Sequence, residues 1–132
     1  MSSYLLGFMS HFTTVQVQIK DGSLLCATLR DLGYEVVENG VVRGYLWQRT
    51  RADYVIKQKN GFDIGFRRQG EHYELITDVW GAGVTPEAFL KPILQKYAHK
   101  KLLRTLQEQG ATIEAEEHLA DGTIRVVVGQ WQ

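Results

Sequence analysis

The sequence predicts an α+β domain: a mostly antiparallel sheet of six or seven strands with two helices packed on one face. Three observations predict it. Several short segments alternate apolar and polar residues, the signature of half-buried strands. Two segments repeat apolar residues at helical spacing behind recognisable start signals. Turn-forming residues recur at short intervals from Asp21 to Gly83, which reads as an antiparallel meander.

The elements follow in order. Phe12 to Ile19 alternates, with Val15, Val17 and Ile19 on one side and Gln16 and Gln18 on the other. Asp21-Gly22-Ser23 supplies a turn and a helix cap. Leu25, Leu29 and Leu32 then share one helical face, and Gly33 sits where a left-handed glycine ends a helix. Tyr34 to Glu38 reads as a strand. Asn39-Gly40 carries the strongest short hairpin signal in the chain, with Val41 to Trp47 expected as the returning strand. A strand from about Ala52 to Gln58 meets a second such turn at Asn60-Gly61. Phe62, Ile64 and Phe66 alternate beyond it, and Gln69-Gly70 turns the chain into Glu71–Thr77. Thr85-Pro86-Glu87 combines a hydroxyl cap, a first-turn proline and an acid near the positive end of the helix dipole. That helix is expected to reach about Gln109, with a kink or a late start at Pro92, whose ring removes an amide donor. Ile113 and Ile124–Val128 close the fold as a last hairpin around Asp121-Gly122.

No linker or low-complexity tract interrupts the 132 residues, so residues 9–132 are expected to form one domain behind a short extension, residues 1–8. Met9 is an alternative start. The extension lacks the basic and long apolar regions of a signal peptide. No apolar run approaches the roughly 20 residues that span a bilayer, so no membrane span is expected. The single cysteine, Cys26, rules out an internal disulfide and fits a reducing, cytoplasmic compartment. It falls on the buried side of its helix, where free cysteine is ordinarily an inert core thiol.

The 15 basic and 15 acidic side chains cancel, which argues against a uniformly basic nucleic-acid binder. Their distribution is uneven. Residues 40–70 hold seven basic side chains against Asp53 and Asp63, and residues 91–104 hold five with no acid. Within the first stretch, Arg43-Gly44-Tyr45-Leu46-Trp47-Gln48-Arg49-Thr50-Arg51 mixes aromatics with arginines. Protein-binding hot spots favour these residue types, and single-stranded nucleic acid also stacks on such platforms. Strand alternation would put Arg43, Tyr45 and Trp47 on one face, either wet and binding or packed as core. Arg43, Tyr45, Trp47, Arg49 and Arg51, with Arg67 and Arg68, are therefore the candidate partner-binding set. Trp80 and Trp131 stand open between core and interface.

Chemistry is less visible. His11, His72, His99 and His118 form no metal-binding pair, and no nucleophile elbow, Walker loop or cofactor motif is present. His72 and Glu74 share a strand face and could approach Asp63 across a hairpin, as a metal or acid–base group or as an ordinary polar pair. Gly81-Ala82-Gly83-Val84-Thr85 precedes a helix and could face an anion, although Pro86 removes a donor there.

Longer stretches carry a resemblance. Met9-Ser10-His11-Phe12-Thr13-Thr14, Leu29-Arg30-Asp31-Leu32-Gly33-Tyr34-Glu35-Val36 and Lys59-Asn60-Gly61-Phe62-Asp63-Ile64-Gly65-Phe66 resemble a family of conserved hypothetical reading frames in plastid genomes and cyanobacteria. Pro86-Glu87-Ala88-Phe89-Leu90 and Asp121-Gly122-Thr123-Ile124-Arg125-Val126-Val127-Val128 continue the likeness. Pro92 and His99-Lys100-Lys101 depart from it. The resemblance covers about Met9 to Trp131. It implies a phototroph, a cytoplasmic or stromal location and, by context, an accessory role in photosynthesis. It carries no activity, cofactor or catalytic residue across. The expectation is a non-catalytic adaptor whose partner is another protein, with an assembly or regulatory role. A nucleic-acid-binding module and a small enzyme or metal protein built on Asp63, His72 and Glu74 are the alternatives.

Overall fold

The computed structural model describes residues 12–131, so the expectations for Met1–Phe8 and Met9 lie outside the described residues. The elements run β1 (Thr13–Val17), α1 (Gly22–Asp31), β2 (Val36–Arg43), β3 (Arg49–Ile56), β4 (Ile64–Gln69), β5 (His72–Thr77), α2 (Val79–Ala82), α3 (Pro86–Glu108), β6 (Ala111–His118) and β7 (Ile124–Trp131). Five strands form an antiparallel sheet in the order β1-β5-β4-β3-β2, and β6 and β7 form a separate two-stranded sheet. The class is α+β as expected. The seven strands divide between two sheets because the long α3 carries the chain away before the last hairpin forms.

The two longer helices feed one core. Asp21 caps α1 by accepting from the Leu24 amide at 3.0 Å. Gly33, at φ 95°, ends it. The Gly33 amide donates to Arg30 O and the Tyr34 amide to Leu29 O, which satisfies the last carbonyls of the helix. Leu24, Leu25 and Leu29 of α1 meet Leu90, Ile93 and Tyr97 of α3 over Ile56, Ile64, Phe66, Tyr73 and Leu75 of the sheet. Each such side chain contributes about 1.5–3 kcal/mol on full burial. Cys26 is buried in α1, and burial pushes its thiol pKa up. α3 begins at Pro86 and runs through Pro92 to Glu108, without the late start that the second proline suggested.

The Asn39-Gly40 hairpin is not formed. Both residues lie inside β2, and the ladder with β3 continues past them from Glu38↔Tyr54 to Gly40↔Ala52. Asn39 takes the left-handed conformation, φ 53°, within the strand, so the signal marks a local backbone irregularity instead of a reversal. The reversal comes at Gly44–Gln48, where the Gly44 amide donates to Gln48 O and the Gln48 amide to Tyr45 O, both at 3.0 Å. Val41–Trp47 is therefore not a separate return strand, since its first residues extend β2 and the rest form this turn.

Beyond Asn39 the β2–β3 hairpin folds back over the sheet face opposite the helices. Val42, Ala52 and Val55 form a second small core there, with Phe12 against it. Gly65 makes the approach possible. It pairs with Val55 in the β3–β4 ladder. A Cβ on Gly65 would overlap Val42 Cγ2 and stand 2.9 Å from Ala52 Cβ. Gly65→Ala is expected to cost about 1–3 kcal/mol through overpacking, read as a lower denaturant midpoint at an unchanged slope. A variant as stable as the parent would contradict the fold-back.

Candidate functional site

Folding back brings the hairpin tip to the sheet end where β4 begins and β5 finishes. Its anchor is Asp63, whose carboxylate is fully buried. Oδ2 accepts from Arg43 Nε at 2.7 Å and from the Arg43 amide at 3.0 Å. Oδ1 accepts from Arg43 Nη2 at 2.9 Å and the Gln58 amide at 3.0 Å. Lys57 Nζ adds a contact at 3.4 Å, and the Asp63 amide donates to Arg43 O at 3.0 Å. Burial pushes the carboxyl pKa up, but the Arg43 guanidinium, the two amides and Lys57 outweigh it and hold the pKa at about 2. The same pairing raises the pKa of Arg43.

A second tie holds the tip itself. The Tyr45 amide donates to Oδ2 of the buried Asp78 at 3.2 Å. Asp78 begins the segment carrying α2, and Asn60 and Gln58 hold that segment through Gly81 O at 3.0 Å and Ala82 O at 3.1 Å. Three stretches, 44–48, 57–63 and 78–82, are thus bonded into one end of the molecule. Large apolar side chains project from it: Trp47 is 86% exposed, Trp80 76% and Leu46 66%. Tyr45 is partly exposed as well. The tip is a turn, so the strand alternation read from sequence does not govern Tyr45 and Trp47. Their exposure follows from the turn.

The arginines have different employments. Arg43 is clamped on Asp63. Arg49 donates to Gln48 O at 2.7 Å and Leu46 O at 3.3 Å, which braces the turn. Arg51 donates to Asn39 O at 3.1 Å. Arg67 is forked onto Glu74 Oε2 at 3.0 and 2.8 Å. Arg68 lies 4.6 Å over the Tyr73 ring and donates to Lys20 O at 2.7 Å. Of the basic side chains on α3, Lys100 pairs with Asp31 and Arg104 with Asp21, both joining α3 to α1. Much of the basic charge seen in the sequence is therefore spent inside the fold. Arg49 braces the tip, and Lys57 and Lys59 lie in the 57–63 stretch at the same end, where the carboxylates of Asp63 and Asp78 are buried, while Arg51 turns back to Asn39. Sequence reasoning misses Leu46, Lys59 and Asp78 as parts of this end, and the structure puts Trp80 in solvent. The side chain of Trp131 lies outside the described residues.

Asp63, His72 and Glu74 are not brought together. The β4–β5 turn sets Gln69 opposite His72 and Arg67 opposite Glu74. Asp63 lies beyond the far end of that ladder, where its carbonyl accepts from Thr77 Oγ1 at 3.0 Å. Asp63 and Glu74 are each neutralised by their own arginine, and among the described residues no group of three such side chains is placed to hold a metal ion. Gly81–Thr85 serves packing: a Cβ on Gly81 would strike the Phe62 ring, and Thr85 makes no side-chain capping bond. Among the described residues no helix is long and apolar enough to cross a membrane.

Comparison with known proteins points to one family. The model of a protein family of unknown function, DUF1257, matches residues 28–127. The chain is 34% identical over 127 residues to the "uncharacterized protein ycf35" of Guillardia theta, covering 94% of this chain and 99% of that one. It is 35% identical to the protein of the same name from Cyanophora paradoxa, again covering 94% and 99%. The Pyropia yezoensis protein is 33% identical, covering 93% and 98%. These matches bear out the resemblance to a plastid-encoded family of unknown function. No solved structure matches the chain.

The clamp generates a stability prediction with a definite sign. Because the folded-state pKa of Asp63 is depressed, its contribution is complete above about pH 4, the unfolded value, and is lost as pH falls towards 2. Asp63→Ala leaves Arg43 without its counter-charge and is expected to cost about 3 kcal/mol at neutral pH. Asp63→Asn is expected to flatten the fall in stability between pH 4 and pH 2. Chemical denaturation at several pH values checks both, and a parental pH slope in Asp63→Asn would contradict the assignment.

Proposed function

The chain belongs to the DUF1257 family, and from that premise we propose that it is a non-catalytic protein-binding adaptor whose contact surface is the aromatic end. One observation carries the reading: Trp47 and Trp80, on two segments joined by the Tyr45–Asp78 hydrogen bond, stand largely in solvent beside Leu46. Exposed tryptophans held on a braced scaffold are what hot spots require, because little conformational entropy remains to be lost on binding. The cations around them, with both nearby carboxylates buried, favour a partner that presents acidic side chains around an apolar centre. Arg43 acts here as a positioning residue for the tip, while Arg49, Trp47 and Tyr45 touch the partner and Arg51 holds the strand behind them through Asn39 O. Arg67 and Arg68 belong to the supporting sheet. The setting is the cytoplasm of a phototroph or a plastid stroma, with an assembly or regulatory role in photosynthesis.

The test is a tagged pull-down from a phototroph lysate, with and without nuclease, comparing the parent with a Trp47→Ala/Trp80→Ala variant. The expected result is a stoichiometric protein that survives nuclease on the parent and is lost from the variant. Identical recovery on both would contradict the surface. Material recovered only without nuclease would transfer the aromatic–basic end to nucleic acid.

A further inference from the structure

Apolar side chains also meet solvent at the last hairpin. Leu119, Val127 and Val128 are exposed there. The ribbon of β6 and β7 is a sheet of its own, and α3 lies against β6, where His99 Nε2 approaches Glu116 Oε1 at 2.9 Å. A two-stranded ribbon is marginal by itself. Among the described residues, no strand pairs with the outer edge of β7, which leaves a row of backbone donors and acceptors open.

The two edges of the ribbon differ in what they discourage. β6 carries Glu114, Glu116 and Glu117, and acids on an edge oppose pairing with a like edge. From Ile124 to Gly129, β7 has one charged residue, Arg125, and three consecutive valines with high strand preference. The ladder to β6 shifts register on both sides of Ile113↔Val128, so the regular stretch of this edge is Ile124–Val128, and Arg125 is the one charge on it against strand addition.

We propose that this edge pairs antiparallel with the same edge of a second copy, making a four-stranded sheet across a two-fold axis at Val127. In that register Val127 meets Val127, and Arg125 of each copy stands opposite Gly129 of the other, so no like charges are opposed. Gly129 is also where the arginine finds its counter-charge. The Glu114 carboxylate lies over this glycine: a Cβ there would be 2.8 Å from Glu114 Oε2. Within one chain Arg125 pairs with Glu117 at 2.6 Å, and among the described residues Glu114 makes no ion pair. Arg125 of the second copy completes it, twice per dimer by symmetry. The occupant is thus this chain itself, selected by the single arginine and the carboxylate over the glycine. The surface is separate from the aromatic end, and neither proposal rests on the other.

Sedimentation equilibrium of the full chain tests it. The parent is expected at twice the chain mass at high concentration, dissociating on dilution. Val127→Glu places two like charges on the axis and is expected to sediment as a monomer with unchanged circular dichroism. Arg125→Glu is expected to weaken the dimer, and adding Glu114→Arg to restore it. Should Val127→Glu unfold the ribbon, the charge exchange decides, since both of its side chains are exposed. A parent that stays monomeric at every concentration overturns the proposal. So does a dimer indifferent to Val127→Glu and Arg125→Glu, because it would form through another surface.

Discussion

A buried carboxylate organises the sheet end on which the proposed binding surface depends. Asp63 accepts from both sides of a contact that the chain could not otherwise hold: the tip of one hairpin and the loop that leads out of it. Arg43 reaches it from β2 across the folded-back hairpin, while Gln58 and Lys57 reach it from the β3–β4 loop. A carboxylate removed from water is costly unless its lone pairs are filled. Here backbone amides and a forked guanidinium fill them, so the cost becomes a geometric demand. The tip must lie where Arg43 can serve Asp63. Apolar packing of Val42 and Ala52 against Gly65 makes the fold-back possible, and the ion pair fixes its extent.

The consequence is a division of labour between the two faces. The helices cover one face and build the larger core. The other face is packed by the sheet's own hairpin, whose tip leaves Trp47 in solvent. Burying Asp63 and Asp78 takes their carboxylates off that surface while Arg49 and Lys57 stay beside it. The electrostatic character of the aromatic end is therefore set by what is buried beneath it. The pairing of Lys100 and Arg104 with α1 has the opposite effect, turning a basic helix face into a helix–helix contact.

Much of this fold was legible in the sequence because local chemistry and tertiary placement agree. The caps of α1 at Asp21 and Gly33, the proline start of α3 and the alternation of β4 and β5 all read correctly. Asn39-Gly40 misled because its signal is conformational. It announces a left-handed residue, which a hairpin turn and an irregular strand position both accept, and only the partner strand distinguishes them. The misreading then turned Tyr45 and Trp47 into strand residues. The grouping of Asp63 with His72 and Glu74 failed on register. Once Gln69-Gly70 forms a tight turn, Glu74 must oppose Arg67, and Asp63 falls at the level of Asp78. That count was available from sequence. The union of Arg43 with Asp63 was not, since it joins residues brought together only by the fold-back.

Amide hydrogen exchange of the native protein tests the central claim most directly. The Arg43, Tyr45 and Gln58 amides donate to Asp63 or Asp78. If the buried carboxylates lock the hairpin over the sheet, these three amides exchange only with the cooperative opening of the core, as slowly as those of β4 and β5. Exchange at the rate of an open loop, with the rest of the sheet protected, would show a hairpin free of the sheet and would contradict the account.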